Sequence, residues 1–242
     1  MTLMGPAELA RVLRSFGVVP VVTIHRAEDA RGLAEALTSG GLPVIEVTFR
    51  TSAAESSLAR IREANPSILL GAGTVLDPDT VDRAIQAGAA FTVTPGFNPA
   101  VVECCLDRGI PVVPGVNSPT DVEMGRSRGL NLLKFFPAEA SGGLAMVKAL
   151  AAPYRDVEFM PTGGISPGNL GRYLAFDAVA ACGGTWIASA DDIQANRFDQ
   201  IAANAREAVQ LAAAARRATA ATGHEAMRRP APASSDPNER LS

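Results

Sequence analysis

The 242 residues are 47% apolar and 19% charged, with a formal net charge of -3. No apolar stretch approaches the roughly 20 residues of a membrane span, and the first twenty residues lack a basic region followed by an apolar one, so the expectation is a cytoplasmic protein. Arg is scattered among Asp and Glu, which offers no electrostatic footprint for nucleic acid, and the three cysteines, an odd number, fit a reduced compartment.

The chain opens on a helix candidate, PAELARVLRSFG (6–17), suited to covering one end of a barrel. β-Branched runs then alternate with Ala-rich segments of helical period, recurring about every 21 to 26 residues. The predicted strands are 17–24, 42–49, 67–75, 89–96, 110–116, 131–138, 157–165 and 179–187. Most are near-continuous apolar runs, as strands covered on both faces require. About eight βα units in a row favour an α/β fold of the (β/α)8 TIM-barrel type, one domain over residues 1–226 with an N-terminal helix; an open doubly wound sheet is the alternative. From Met227 the sequence turns to MRRPAPASSDPNERLS, whose Pro, Ser and charge predict a disordered tail over 227–242. Polar, Gly and Pro residues gather at the C-terminal ends of the predicted strands, where barrels place their active sites.

Lys134 stands out because only two of the 22 basic residues are lysine. A guanidinium stays protonated, whereas an ammonium loses its proton readily when desolvated. The apolar run LLKFFP therefore suits a lysine that attacks a carbonyl to form a Schiff base; the other reading is a strand-end lysine that lifts its head to solvent. Lys148 falls on the polar stripe of a helix and reads as a surface charge. Alternation in VIEVTF puts Val44, Glu46, Thr48 and Arg50 on one face. Glu46 is then either a general base or the partner of Arg50, and Arg50 is suited to grip a carboxylate.

Three glycine-bearing turns, GAGTVLDP (71–78), PTGGISPGN (161–169) and CGGTWIAS (182–189), sit between a strand and a helix. Glycine lets backbone amides approach an anion, and the positive end of a following helix favours negative charge; the last two turns follow strands seven and eight, where barrels bind phosphate. In the first turn, Asp77 and Pro78 also read as a helix cap and first helical residue. Metal chemistry is poorly supported by two histidines, His25 in a loop and His224 near the tail, and no GxGxxG or GxSxG motif occurs. No cofactor is implied.

In chain order, VVPV (18–21), EVTFRT (46–51), GAGTVL (71–76), TPGFNP (94–99), PGV (114–116), KFFPAE (134–139), PTGGISP (161–167) and GGTW (183–186) closely resemble the 2-keto-3-deoxy-6-phosphogluconate (KDPG) and KHG aldolase family. The resemblance spans about residues 5–210 and implies a class I, Schiff-base-forming lyase of the Entner–Doudoroff pathway that releases pyruvate and glyceraldehyde 3-phosphate. It assigns the imine to Lys134 and acid/base work to Glu46. Arg50 and Thr74 would hold the keto-acid carboxylate, with Thr162 beside them, while Pro95 and Phe136 line the pocket. Phosphate falls to Gly163, Gly164, Gly184 and Thr185; the last is Ser in the family pattern, and a hydroxyl survives. The resemblance also implies a homotrimer and small-molecule partners. The C-terminal extension has no family role to inherit. The same residues are compatible with cleavage of 4-hydroxy-2-oxoglutarate. A phosphogalactonate-type aldolase, which differs around EVTFRT and KFFPAE, and a catalytically silent phosphate-binding barrel are the competing readings.

Overall fold

The computed structural model describes residues 4–228, with side chains described to residue 219. Strands and helices alternate throughout. The strands are β1 (Val18–Val22), β2 (Val44–Thr48), β3 (Leu69–Gly73), β4 (Phe91–Val93), β5 (Val112–Val113), β6 (Gly115–Val116), β7 (Leu132–Phe135), β8 (Glu158–Phe159) and β9 (Cys182–Gly184). Each predicted run contains strand; the run 110–116 is divided because Pro114, with no N–H to donate, separates β5 from β6. The helices are α1 (Pro6–Phe16), α2 (Ala30–Ser39), α3 (Ala54–Ala64), α4 (Pro78–Gln86), α5 (Pro99–Asp107), α6 (Pro119–Arg126), α7 (Gly143–Ala151), α8 (Pro167–Leu174), α9 (Ala190–Gln194) and α10 (Phe198–Arg228).

All strand pairings are parallel. A curled six-stranded sheet has the order β5-β4-β3-β2-β1-β9, and a three-stranded sheet has the order β6-β7-β8. Single parallel bridges, Phe159 to Val179 and Thr162 to Gly183, join the β8 segment to the β9 segment. Because every strand points the same way, every strand's C-terminal end opens on one side. Their Val, Ile, Leu and Phe side chains pack into one continuous core with the inner faces of the helices.

Helix starts are written locally in the sequence. Asp77, Asn98, Ser118 and Ser166 each stand at an N-cap and are each followed by Pro at the first helical position. Asp77 accepts from Thr80 N–H at 2.7 Å, Asn98 from Ala100 N–H at 3.1 Å and Ser118 from Asp121 N–H at 3.3 Å. These caps start the helix right after the strand's C-terminal end and keep the intervening turns short. α1 lies at the opposite end: Met4, Val12 and Phe16 face Ile68, Leu69 and Ile110 at strand starts across a mainly apolar cavity of about 390 Å³. α10 packs on α2 and α8. Of the predicted tail, residues 227 and 228 belong to α10, and the rest lies outside the described residues. Among the described residues no helix is long and apolar enough to cross a membrane.

Candidate active site

Glu46 sits in the middle of β2 and Lys134 in β7, 88 residues apart in sequence, yet Lys134 Nζ lies 3.3 Å from Glu46 Oε1. Lys134 is 4% exposed and Glu46 is fully buried. The lysine does not lift its head to solvent, and the glutamate does not pair with Arg50. Instead the two predicted reactive groups meet across the space that the curled strands enclose. Lys134 Nζ also lies 5.2 Å from the centroid of the Phe136 ring. Glu46 Oε2 is buried and has no hydrogen-bond partner, so the carboxylate keeps one oxygen ready to accept from a bound hydroxyl.

The strand sequence explains how a carboxylate fits there. Glu46 pairs in register with Gly71, and β3 carries glycine at both 71 and 73. A Cβ on Gly73 would run into the Glu46 side chain, 2.7 Å from Cγ and 2.8 Å from Cδ, and would also strike Oε1. Glycine in a strand interior commonly marks such a close approach. Sequence reasoning missed Gly73, although its spacing of two from Gly71 is the signal that could have found it. Lys134 is fixed by its backbone: its N–H donates to the Pro114 carbonyl at 2.8 Å, and it stands opposite Gly115.

Arg50 and Thr74 follow β2 and β3. Arg50 Nε donates to Thr74 Oγ1 at 3.1 Å, and Arg50 is exposed. Thr74 has φ 55°, a left-handed conformation that a β-branched residue rarely adopts. The turn at this position leaves the hydroxyl within hydrogen-bond reach of the guanidinium. Thr162 is buried, and its side chain occupies the space that a Cβ on Gly183 would need. Pro95 and Phe136 are half-buried after β4 and β7. Asn117, a residue with no predicted role, donates to the Phe136 carbonyl at 2.8 Å and to Ser141 Oγ at 2.7 Å, and so holds the segment that carries the ring.

Gly163 and Gly164 form the turn after β8 with φ of 101° and 79°, which glycine alone adopts easily. A full-length helix, α8, follows that turn. Gly184 ends β9, and the exposed Thr185 follows it. Here the expected helix contribution needs correction: α9 has five residues, with Asp191 and Asp192 in its first turn. Hydrogen bonds from Ser189 and Arg197 hold the Asp192 carboxyl below the usual range, so it stays anionic. The field of so short a helix, opposed by two aspartates, adds little there. Trp186, also missed, has its indole Nε1 buried without a partner and 3.0 Å from where a Cβ on Gly184 would sit.

Other reactive groups are set aside by their surroundings. Burial pushes the Cys105 thiol up to about 11 and the Cys182 thiol higher still, so neither is a ready nucleophile. Lys148 is exposed, 5.7 Å from the centroid of the Phe176 ring. His25 is exposed in the loop after β1. Among the described residues no group of three or more His, Cys, Asp or Glu could hold a metal ion.

A buried lysine touching a buried carboxylate below an arginine–threonine pair and glycine turns is the arrangement of a carbonyl-attacking enzyme. The sequence profile of the KDPG and KHG aldolase family matches residues 9–204. The chain belongs to that family. It is therefore an aldolase, a lyase that makes and breaks a carbon–carbon bond next to a carbonyl. The 2-dehydro-3-deoxy-phosphogluconate aldolase of Treponema pallidum is 49% identical over 194 residues, 80% of this chain and 92% of that protein. The KHG/KDPG aldolase of Escherichia coli is 40% identical over 82% of this chain and 93% of its own length. Among solved structures, the KDPG aldolase of Legionella pneumophila, with pyruvate captured at low pH as a covalent carbinolamine intermediate, superposes with a TM-score of 0.79 at 38% identity, covering 81% of this chain and 96% of that one.

Proposed function

We propose that this aldolase cleaves 2-dehydro-3-deoxy-6-phosphogluconate to pyruvate and glyceraldehyde 3-phosphate through a Schiff base on Lys134. The observation that carries the reading is the 3.3 Å contact between Lys134 Nζ and Glu46 Oε1 inside the strand array. Lys134 passes one proton to Glu46, the neutral amine adds to the C2 carbonyl to give a carbinolamine, and Glu46 returns that proton to the carbinolamine hydroxyl, which leaves as water to give the protonated imine and the Glu46 carboxylate. Glu46 takes the C4 hydroxyl proton, directly or through water. The C3–C4 bonding pair moves into the C2–C3 enamine as the aldehyde leaves. Glu46 then returns a proton to C3, and water releases pyruvate. Positive charge on the imine nitrogen does the electron-withdrawing work that a metal performs in other aldolases, so EDTA should not inhibit. Inhibition reversed by a divalent ion would overturn this route.

Arg50 and Thr74 are suited to the substrate carboxylate, a guanidinium and a hydroxyl already hydrogen-bonded to each other. Thr162 lies in the same neighbourhood, Pro95 and Phe136 line the pocket, and amides of Gly163, Gly164 and Gly184 with the Thr185 hydroxyl hold the 6-phosphate. Nothing in these roles requires a phosphate for the chemistry, which supports cleavage of 4-hydroxy-2-oxoglutarate as a side activity; the E. coli relative's name joins both. The strand order supports a closed (β/α)8 barrel: Pro114 alone separates β5 from β6, and the bridges at Phe159 and Thr162 link β8 to β9. The same reading takes residues 1–226 as one domain, places the protein in the cytoplasm, and makes it a homotrimer, which light scattering of the purified protein tests directly.

Borohydride with pyruvate is the deciding experiment. A reduced adduct on Lys134 is expected; an adduct on Lys148 moves the site, and no adduct at all marks a silent binding barrel.

A further inference from the structure

Beside the Gly163–Gly164 turn, two side chains without an assigned role come together from different elements. The Tyr173 hydroxyl on α8 donates a short hydrogen bond to Oε1 of Glu139, in the loop after β7. Tyr173 is 2% exposed. Burial, reinforced by the Glu139 carboxylate, pushes its phenol well above the usual tyrosine range, so it remains a donor. Two glycines make room for the pair. A Cβ on Gly164 would lie 2.6 Å from Glu139 Cγ and 2.7 Å from its Cβ. A Cβ on Gly143, the first residue of α7, would lie 3.2 Å from Glu139 Oε1 and 3.3 Å from the Tyr173 hydroxyl. The Glu139 N–H also donates to the Gly163 carbonyl at 3.1 Å.

The Glu139 stem therefore lies against the turn whose amides are proposed for the phosphate, although Glu139 itself is anionic and exposed. Released from Tyr173, its carboxylate is free to rotate toward that turn, and a like charge brought close to a dianionic ligand opposes binding. We infer that Tyr173 is a positioning residue for phosphate recognition: its hydroxyl ties the Glu139 carboxylate back toward the start of α7, where the helix N-terminus favours negative charge. Glu139 can then support Gly164 without repelling the phosphate. This rests on the phosphate cradle proposed above.

The test compares KM for the phosphorylated aldol with exchange of pyruvate methyl protons, which involves no phosphate. Tyr173→Phe is expected to raise that KM about tenfold, the scale of losing a hydrogen bond to a charged group, with kcat and pyruvate exchange within about twofold. Glu139→Gln removes the charge and should leave KM within about twofold. The double variant should return KM to the Glu139→Gln value, a rescue that a merely structural tyrosine would not show. If Tyr173→Phe does not fold, Gly143→Ala presses on the same pair from α7, and the same selective rise in KM is expected. An unchanged KM, equal damage to exchange, or no rescue overturns the inference. Gly164→Val separates the two levels: if it spares the phosphorylated substrate, the cradle falls and the role of Tyr173 with it; if it abolishes the preference while Tyr173→Phe is silent, only the role of Tyr173 falls.

Discussion

At the N-terminal ends of the strands, two half-buried arginines spend most of their guanidinium donors on backbone carbonyls, although Arg216 Nε is buried without a partner. Arg216 Nη atoms donate to the carbonyls of Leu174 at 3.1 Å and of Val179 and Ala180 at 2.8 Å, and Arg62 donates to Gly88 at 3.0 and 3.1 Å and to Pro66 at 2.7 Å. Burial lowers the pKa of both guanidinium groups, and the carbonyls compensate with hydrogen bonds. Around the proposed site the pattern differs: Glu46 Oε2 in mid-strand and Trp186 Nε1 just past β9 are buried without partners, and Thr74, after β3, is held left-handed. One end meets most of its polar groups with backbone carbonyls and stabilises the fold. The other leaves groups unsatisfied or strained, and so ready for a ligand to complete.

The contrast breaks most severely at Lys134. Lys134→Arg keeps the positive charge but has no neutral amine to offer, so kcat should fall on the order of 10⁴-fold or more, the scale of losing a nucleophile. No borohydride adduct should form with pyruvate. Turnover retained in the variant would mean that the charge at 134, not the amine, is what matters. Glu46→Gln is next: the imine should still form, while cleavage and pyruvate proton exchange slow by roughly 10² or more. Exchange at the parent rate would require another base.

Gly73→Ala sharpens the contrast because it touches only the fit of the carboxylate. Its Cβ displaces the end of the Glu46 side chain, and a small displacement of a catalytic group costs roughly 10- to 100-fold in kcat. Adduct formation on Lys134 should persist. An active Gly73→Ala enzyme would show that Glu46 needs no such tight placement. Arg216→Leu probes the other end: three carbonyls lose their donor, which should cost about 2 kcal/mol in chemical denaturation while leaving kcat unchanged. A lower kcat with unaltered stability would dissolve the division between the two ends.

How far the sequence alone reaches differs between these regions for physical reasons. Strand and helix order was legible because runs buried on both faces, and polar–Pro pairs such as Asp77–Pro78, act locally. Lys134 and Glu46 were legible because each is chemically out of place in an apolar strand. Their 3.3 Å contact was not legible from composition or period, since it joins strands 88 residues apart and depends on the curl of the sheet. The role of Gly73 is hidden similarly: the residue it accommodates lies on the neighbouring strand. Arg216 carries no signal in the sequence, because its partners are backbone carbonyls, which have no sequence signature. The Gly184 turn was read too generously, since the brevity of α9 and the opposition of Asp191 and Asp192 become evident only with the helix boundaries.

The smallest expected effect is at Thr185, on the reactive side but exposed and outside the strained shell. With α9 contributing little field, the turn after β9 must hold phosphate by the Gly184 amide and the Thr185 hydroxyl, a neutral donor worth about 0.5 to 1.5 kcal/mol. Thr185→Ala should therefore raise KM for the phosphorylated substrate about three- to tenfold, with pyruvate exchange untouched. Thr185→Ser keeps the hydroxyl and removes only a methyl group from an exposed residue, so its KM should stay within about twofold of the parent. Paired KM measurements on the two variants decide the point. Equal losses in Ser and Ala would mean that the methyl group shapes the turn and the hydroxyl never reaches the phosphate, which would leave recognition to the amides of Gly163, Gly164 and Gly184 alone.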